Sequence, residues 1–288
     1  MLTIFTPVYN RSYILGKLYE SLLDQTSKEF EWVIVDDGST DEVASLVEGW
    51  IDEGNIDIRF FRQENGGKHR AINRGVAEAR GELFFIVDSD DHLTPDAVEW
   101  VNSKGEEIIN NSAFAGLSGL RIHPDGSKVG GEQHFNQIDA DAIEIRVQYG
   151  IIGDLAEIYK TEVLRRFPFP DIPGECFCSE GLVWNRIACA GLRLRYWHHG
   201  IYVCEYLADG LTASRINCRT NSPEYSMLLY SELIKNPSLG VKEVCKYAIL
   251  FWRYSEKSQK NLRQKSSMIG YKYLCFWPLG VAMRKLTR

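Results

Sequence analysis

Three carboxylates fall within four residues at Asp88-Ser89-Asp90-Asp91, directly after the apolar run Glu82–Val87. Hard oxygens that close together suit Mg²⁺ or Mn²⁺, above all where phosphate oxygens complete the shell. The same residues would also serve as a solvated acidic turn ahead of the helix start at Thr94-Pro95. A second acidic pair, Asp36-Asp37, closes the run Glu31–Asp36 and leads into Gly38-Ser39-Thr40-Asp41. A turn and a helix cap account for Ser39 to Asp41. Two adjacent carboxylates exceed that need and can accept hydrogen bonds from a base imide or from ribose hydroxyls. The third cluster, Asn65-Gly66-Gly67-Lys68-His69-Arg70, joins glycines that permit close backbone approach to a cation at a helix start. That is a phosphate or ribose contact, or else an ordinary charged loop. Its spacing fits neither the Walker loop nor the dinucleotide Gly-x-Gly-x-x-Gly.

These clusters need a scaffold that brings them together, and the hydrophobic pattern supplies one. Leu2–Thr6, Glu31–Asp36, Ile56–Arg62 and Glu82–Val87 read as short buried strands. Between them run helical patterns from Ile14 to Leu22, Val43 to Ile51 and Lys68 to Ala79, and a fourth follows from Thr94 to about Asn110. Asn10 and Ser12 are candidate caps for the first helix, and Thr40 or Asp41 for the second. Alternating strands and helices with short connections predict an α/β fold, a Rossmann-like and mostly parallel sheet flanked by helices. Ligands bind beyond the carboxyl ends of such strands. Thr6-Pro7, Asp36-Asp37, Glu64–Lys68 and Asp88–Asp91 all lie at carboxyl ends, so four polar clusters converge on one edge.

Further along, Ala115–Ile122, Asp154–Tyr159 and Gly200–Tyr206 are expected strands, His123–Asn136 a loop or hairpin, and Glu180–Ala190 a helix. The chain is helical from Pro223 onward. The expected organisation is a domain over 1–215, with a nucleotide-binding half (1–110) and an acceptor half (111–215), then a helical C-terminal region over 216–288.

Composition removes several function classes. With 33 basic against 39 acidic side chains and a net charge of −6, the chain lacks the basic excess that binds nucleic acid non-specifically. Its seven cysteines are odd in number, all beyond residue 175, and without zinc spacing, so free thiols in a reducing compartment are expected. The six histidines show no metal-ligand arrangement. The opening Leu2-Thr-Ile-Phe-Thr-Pro7 has no basic leader, and no stretch is long and apolar enough for a membrane span, so the expected address is the cytoplasm.

Together the motifs Thr6-Pro-Val-Tyr-Asn10, Val33-Ile-Val-Asp-Asp-Gly-Ser-Thr-Asp41, Gly66-Gly-Lys68 with Asn73, and Asp88-Ser-Asp-Asp91 resemble glycosyltransferase family two. They occur in the right order across residues 1–92, and the resemblance extends to about residue 215. It implies a GT-A fold, a nucleoside-diphosphate sugar donor (UDP favoured), Mn²⁺ or Mg²⁺, and inversion at the anomeric carbon. By match, Thr6, Pro7, Tyr9, Asp36, Asp37, Lys68, Asn73, Asp88, Ser89 and Asp90 would bind the nucleotide, and Asp90 and Asp91 the metal. The family's base is an acid opening a helix in the second half. Ser179-Glu180-Gly181 looks like its counterpart, which implies Glu180 as the catalytic base. Gly181 replaces the usual second acid, and Glu175 and Asp154 remain alternatives. Gly153-Asp154-Leu-Ala-Glu157 and Tyr206-Leu-Ala-Asp209-Gly210-Leu-Thr212 resemble segments of a bacterial subset. They place Asp154 and Asp209, with Trp184, near donor sugar or acceptor; Trp184 also reads as core.

The resemblance thus implies an enzyme of cell-surface polysaccharide synthesis that uses a saccharide or lipid-linked saccharide acceptor. A sugar-phosphate nucleotidyltransferase is the alternative enzyme, although Thr6-Pro-Val-Tyr-Asn10 is not the glycine-rich basic loop with which those begin. A non-catalytic nucleotide-sugar binder is the other alternative. Finally, Tyr271 to Met283 mixes aromatic and apolar residues with Lys272, Arg284 and Lys285. That pattern suits peripheral contact at the inner face of the plasma membrane, or a terminal helix packed on the domain.

Overall fold

A computed structural model describes residues 1–131, 133–204 and 211–285, side chains of 211–215 and 285 excepted. Four strands, β1 (Leu2–Val8), β2 (Phe30–Asp36), β3 (Ile58–Arg62) and β4 (Leu83–Ile86), run parallel in the order β3-β2-β1-β4. Helices α1 (Leu15–Leu23), α2 (Val43–Glu53) and α3 (Lys68–Glu78) make the crossovers, and α4 (Ala97–Glu106) follows. Strands covered on both faces read as continuous apolar runs rather than alternating ones, and β2 is buried at every position. α1, α2 and α4 share one hydrophobic cluster with Leu2, Ile4, Trp32 and Ile34. Tyr19 and Trp50 stack at 4.3 Å between ring centroids, with Trp32 and Trp50 at 5.9 Å. Each fully buried Leu or Val in this layer contributes about 1.5–3 kcal/mol. α3 covers the opposite face, where Phe5 stacks on Phe84 at 5.1 Å.

The sheet continues through β5 (His92–Leu93), β6 (Phe114–Ile122), β7 (Gln137–Ala140), β8 (Leu155–Lys160) and β9 (Arg193–Val203). Its full order is β3-β2-β1-β4-β8-β6-β9-β5, with β7 on β9. β8 runs antiparallel to both β4 and β6, so the sheet is parallel where the acidic turns lie and mixed beyond. Short helices α5 (Glu144–Val147) and α6 (Thr161–Arg166) flank β8.

Local readings shift in three places. The strand expected at Gly200–Tyr206 begins at Arg193, since Leu194 and Tyr196 are buried and the strand is paired by both β6 and β7. The acidic turn after β4 leads into the two-residue β5 before α4, so that helix starts at Ala97 rather than Thr94. Asn10 and Ser12 do not cap α1, which has no side-chain cap. Asn10 adopts φ 54°, and its Oδ1 accepts from the Thr40 amide at 2.8 Å, while the Ser12 amide donates to Asp41 Oδ2 at 2.9 Å. They tie the β1–α1 loop to the β2–α2 loop instead.

The chain forms two compact units, Met1–Phe169 with Arg186–Leu207, and Pro170–Asn185 with Ala208–Arg288. The helix α7 (Gly181–Cys189) begins in the second unit and ends in the first. The second unit also holds α8 (Leu211–Asn221), α9 (Pro223–Ile234), α10 (Val241–Tyr254), α11 (Leu262–Ile269) and α12 (Trp277–Lys285). Asn261 caps α11 in a reciprocal capping box with Gln264. Among the described residues, no helix is long and apolar enough to cross a membrane. No disulfide joins any of the seven cysteines, all of which are among the described residues.

Candidate functional site

β1 and β2 end level, with Pro7 opposite Val35 and Val8 opposite Asp36. Asp36 is fully buried, and its Oδ1 accepts from the Ser39 amide at 2.7 Å, closing the turn. Arg62 Nε lies 3.3 Å from Oδ2 as an ion-pair contact, without the alignment of a hydrogen bond. Asp37 reaches across to the loop that opens α3. Its Oδ1 accepts from Gln63 Nε2 at 2.8 Å and the Gly66 amide at 3.0 Å, and its Oδ2 from the Gly67 amide at 2.7 Å. Gly67 stands at φ 97° at the N-cap of α3, a backbone state that favours glycine. Lys68, the next residue, therefore leaves this loop from a fixed point.

Lys68 Nζ meets Asp88 Oδ1 at 2.6 Å. Arg121, from β6, lies 3.7 Å from Asp88 Oδ2 and 3.8 Å from Asp91 Oδ2. Its guanidinium sits over the Tyr202 ring, 4.1 Å from the centroid. The Tyr202 hydroxyl donates to Asp91 Oδ2 at 2.8 Å and accepts from the Asp88 amide at 2.9 Å. One tyrosine on β9 thus holds both ends of the Asp88–Asp91 turn.

Lys68 and Arg121 lie against Asp88 and Asp91, Arg11 acts on Asp90, and the three carboxyls respond differently. Burial pushes Asp88 up, but the Lys68 and Arg121 charges outweigh it and hold Asp88 below the usual range. Asp90 is raised by burial and then by the charge of Asp88, with Arg11 and Lys68 opposing. Asp91 is pushed up to about 7 by burial and by Asp88, against Arg121 and the Tyr202 hydrogen bond. Burial first, and then repulsion from Asp88, therefore makes Asp90 and Asp91 hold a proton more tightly than free carboxyls do. No group of three or more His, Cys, Asp or Glu among the described residues could hold a metal by itself. One or two carboxylates completed by phosphate oxygens and water is the arrangement Mg²⁺ commonly takes.

The other residues singled out in the sequence divide by position. Tyr9 is half exposed, whereas Thr6 is fully buried with its Oγ1 accepting from Trp32 Nε1 at 2.9 Å. Pro7 is half-buried and Ser89 buried. The Asn73 side chain both donates to and accepts from the Phe169 backbone, at 2.8 and 2.9 Å. Asp154 is exposed immediately before β8. In the second unit, Glu180 and Trp184 are half-buried, and the Glu180 carbonyl accepts from the Val183 and Trp184 amides at 3.0 and 3.1 Å, opening α7. Ser179 Oγ takes a 3.4 Å contact from Arg219. Glu175 accepts from the Glu224 and Tyr225 amides at 2.7 and 2.9 Å; this carboxylate serves the α9 N-terminus. Asp209 lies outside the described residues. The geometry therefore unites Lys68 with Asp88, Asp90 and Asp91, and couples them through Gly66-Gly67 to Asp37.

Sequence reasoning missed Arg121 and Tyr202. They lie 30 or more residues from the acidic turn, and each has an ordinary strand context. The one local signal is an arginine, the single charged residue in the Phe114–Ile122 run.

Residues 3–102 match the family model described as Glycosyl transferase family 2. Glycosyltransferase GlyG of Streptococcus pneumoniae serotype 4 is 34% identical over 108 residues, 37% of this chain and 36% of that one. Chondroitin synthase of Pasteurella multocida is 31% identical over 131 residues, 45% of this chain and 13% of its own length. The chain thus spans well under half of these relatives. Among solved structures, S. aureus TarS 1–349 in complex with UDP-GlcNAc superposes with a TM-score of 0.65 at 20% identity, covering 97% of this chain and 79% of that one. Mannosyltransferase PcManGT from Pyrobaculum calidifontis, in complex with GDP-Man and Mn²⁺, gives 0.58 at 16% identity over 99% and 83%. Residues 3–102 are a glycosyltransferase domain of family 2, and the fold raised on them is of the GT-A type.

Proposed function

We propose that the chain transfers a sugar, with inversion, from a nucleoside-diphosphate sugar, UDP-linked in preference, to a saccharide or lipid-linked saccharide acceptor in cell-surface polysaccharide synthesis. The observation that carries this reading is the acidic turn Asp88–Asp91 facing Lys68 and Arg121 beyond the carboxyl ends of the parallel strands. The UDP-GlcNAc complex of TarS and the GDP-Man and Mn²⁺ complex of PcManGT support the donor class.

Tyr9, Asp37, Asp88 and the backbone at Pro7 and Ser89 line the nucleoside, and Lys68 meets its phosphates. Thr6, Asp36 and Asn73 shape these loops from behind. Asp90, with Asp91 beside it, would hold a divalent ion, Mn²⁺ or Mg²⁺, which when bound screens the diphosphate charge. Lys68 and Arg121 add fixed positive charge where negative charge develops on the leaving oxygen. Glu180 receives the acceptor proton as the hydroxyl oxygen bonds to the anomeric carbon and the bond to the diphosphate breaks. Asp154, Trp184 and Asp209 are assigned to donor sugar or acceptor. The proposed organisation is a GT-A domain over 1–215 and a helical extension over 216–288, working in the cytoplasm with peripheral contact at the inner face of the plasma membrane.

Calorimetric titration with UDP, GDP and their sugars, with Mn²⁺, Mg²⁺ or excess chelator, tests this reading. Expected is metal-dependent binding of one nucleoside diphosphate, weakened at least about a hundredfold in Asp90→Ala. No binding with any metal would remove the donor site, and pyrophosphate release from a sugar phosphate and a nucleoside triphosphate would make the chain a nucleotidyltransferase.

A further inference from the structure

Charge along this chain is strongly segregated. From Val241 to Arg288 there are eleven Lys and Arg against two Glu, a net +9 in a chain whose total is −6. The rest of the chain is left with −15. Lys242, Lys246, Arg263 and Lys272 of this stretch are exposed and form no ion pair among the described residues. The two glutamates do not offset them, because Glu256 already faces Arg284 and Glu243 is half-buried.

Apolar exposure is concentrated in the same place. Tyr271 is 59% exposed, Trp277 46% and Leu279 53%. These are large side chains within nine residues, beside Lys272. Gly280 marks the side of α12 that is turned inward. Gly280 is buried where α12 crosses α10, so closely that a Cβ there would lie 2.5 Å from Trp252 Cβ and 2.8 Å from the Arg253 amide. Trp252 Nε1 in turn donates to the Tyr273 carbonyl at 2.9 Å, fixing the turn Tyr271–Phe276 to α10. With Gly280 turned inward, Pro278 and Ala282 lie nearly opposite it at helical spacing, with Trp277 on one flank and Leu279 and Met283 on the other; all five are exposed.

We propose that the α10–α12 region of the second unit is a docking face for an anionic bilayer. Trp277, Leu279 and Tyr271 enter the headgroup layer, and Lys242, Lys246, Arg263 and Lys272 meet lipid phosphates. Aromatic and apolar side chains with a basic surround are the composition of an interfacial anchor. The exposed basic side chains fit negative headgroups, whereas the −15 of the remaining chain keeps its other surfaces off the same membrane. This deepens the peripheral placement proposed above and rests on it, but it is independent of the donor site.

Flotation of the full chain with vesicles tests the proposal, using phosphatidylcholine alone or with one-third phosphatidylglycerol. Expected is co-flotation with the anionic vesicles only, reversed by high salt. The double substitution R263E/K272E should weaken it by at least about 25-fold, as each basic residue near an anionic surface contributes about fivefold. W277S/L279S should weaken it while leaving circular dichroism and thermal midpoint unchanged. No flotation with anionic vesicles, equal flotation by R263E/K272E, or retention on a soluble polyanion without vesicle binding would each overturn the proposal. UDP binding measured on the same preparations separates this failure from failure of the donor-site reading.

Discussion

Two acidic turns flank the carboxyl end of β1, and they use their carboxylates in opposite ways. At β2, Asp36 and Asp37 are buried and accept from the Ser39, Gly66 and Gly67 amides and the Gln63 side chain. At β4, Asp90 and Asp91 sit beside Asp88 with their protonation shifted upward by burial and mutual repulsion. The first turn resolves its charge on backbone donors and so builds a loop. The second leaves two carboxyls raised by burial and repulsion, and it is the turn proposed above to hold a divalent ion. Adjacent acids at a strand end are therefore not one signal but two, separated by what the amides around them supply. The turns are also coupled, since Asp37 fixes Gly67 and the next residue, Lys68, reaches Asp88.

Substitution separates these roles. Asp37→Ala deletes a buried acceptor for two backbone amides and a side-chain amide of a half-buried loop, and we expect a loss of about 3 kcal/mol in urea-monitored stability. Asp90→Ala removes a carboxylate whose ionisation is opposed by its surroundings, so stability should hold within about 1 kcal/mol or rise. If Asp90→Ala unfolds the protein as readily as Asp37→Ala, the division between architectural and ligand-facing acids fails.

Glu157, on β8, sharpens the contrast from a third position. Burial pushes its carboxyl up to about 7 from 4.5, against the nearby Arg146, which is 3.8 Å away. A carboxyl with a raised folded-state pKa binds its proton more tightly in the native state than in the unfolded chain. Its contribution to stability is complete below about pH 4.5 and is lost as pH rises through about 7. Glu157→Gln should thus match the parent protein near pH 4.5 and exceed it by roughly 2 kcal/mol at pH 8, read from denaturant midpoints at both values. A difference of the same size at both pH values would mean that packing, not charge, sets the effect.

What could be read from residues alone follows the range over which each feature is determined. β1 to β4 and α1 to α3 were legible because each is a short apolar or amphipathic run bounded locally by Pro, Gly or Asp. β5, β7 and the first half of β9 were not, because their polar residues become strand only when β9 lies between β6 and β7. The acidic turns were legible as clusters, but their division of labour was not. It depends on the Gly66 and Gly67 amides, 29 and 30 residues from Asp37, and on Tyr202, 111 residues from Asp91. Asn10 and Ser12 show the same limit at short range: their types suit a helix cap, and the neighbouring loop claims them instead.

The smallest expected effect tests the first turn most delicately. Arg62 touches Asp36 Oδ2 at 3.3 Å with its side chain 55% exposed, and also donates to the Ser39 carbonyl. A guanidinium that open to water is screened, and exposed pairs contribute about 0–1 kcal/mol. Arg62→Ala should therefore lower stability by less than about 1 kcal/mol, with the loss shrinking further at high salt. That result fits a turn held by amides, in which water can replace the cation. A loss near that of Asp37→Ala would instead show that the buried Asp36 charge depends on its arginine. The β2 turn would then be an electrostatic structure like the one at β4, and the distinction between the two would lie in their partners' exposure rather than in their chemistry.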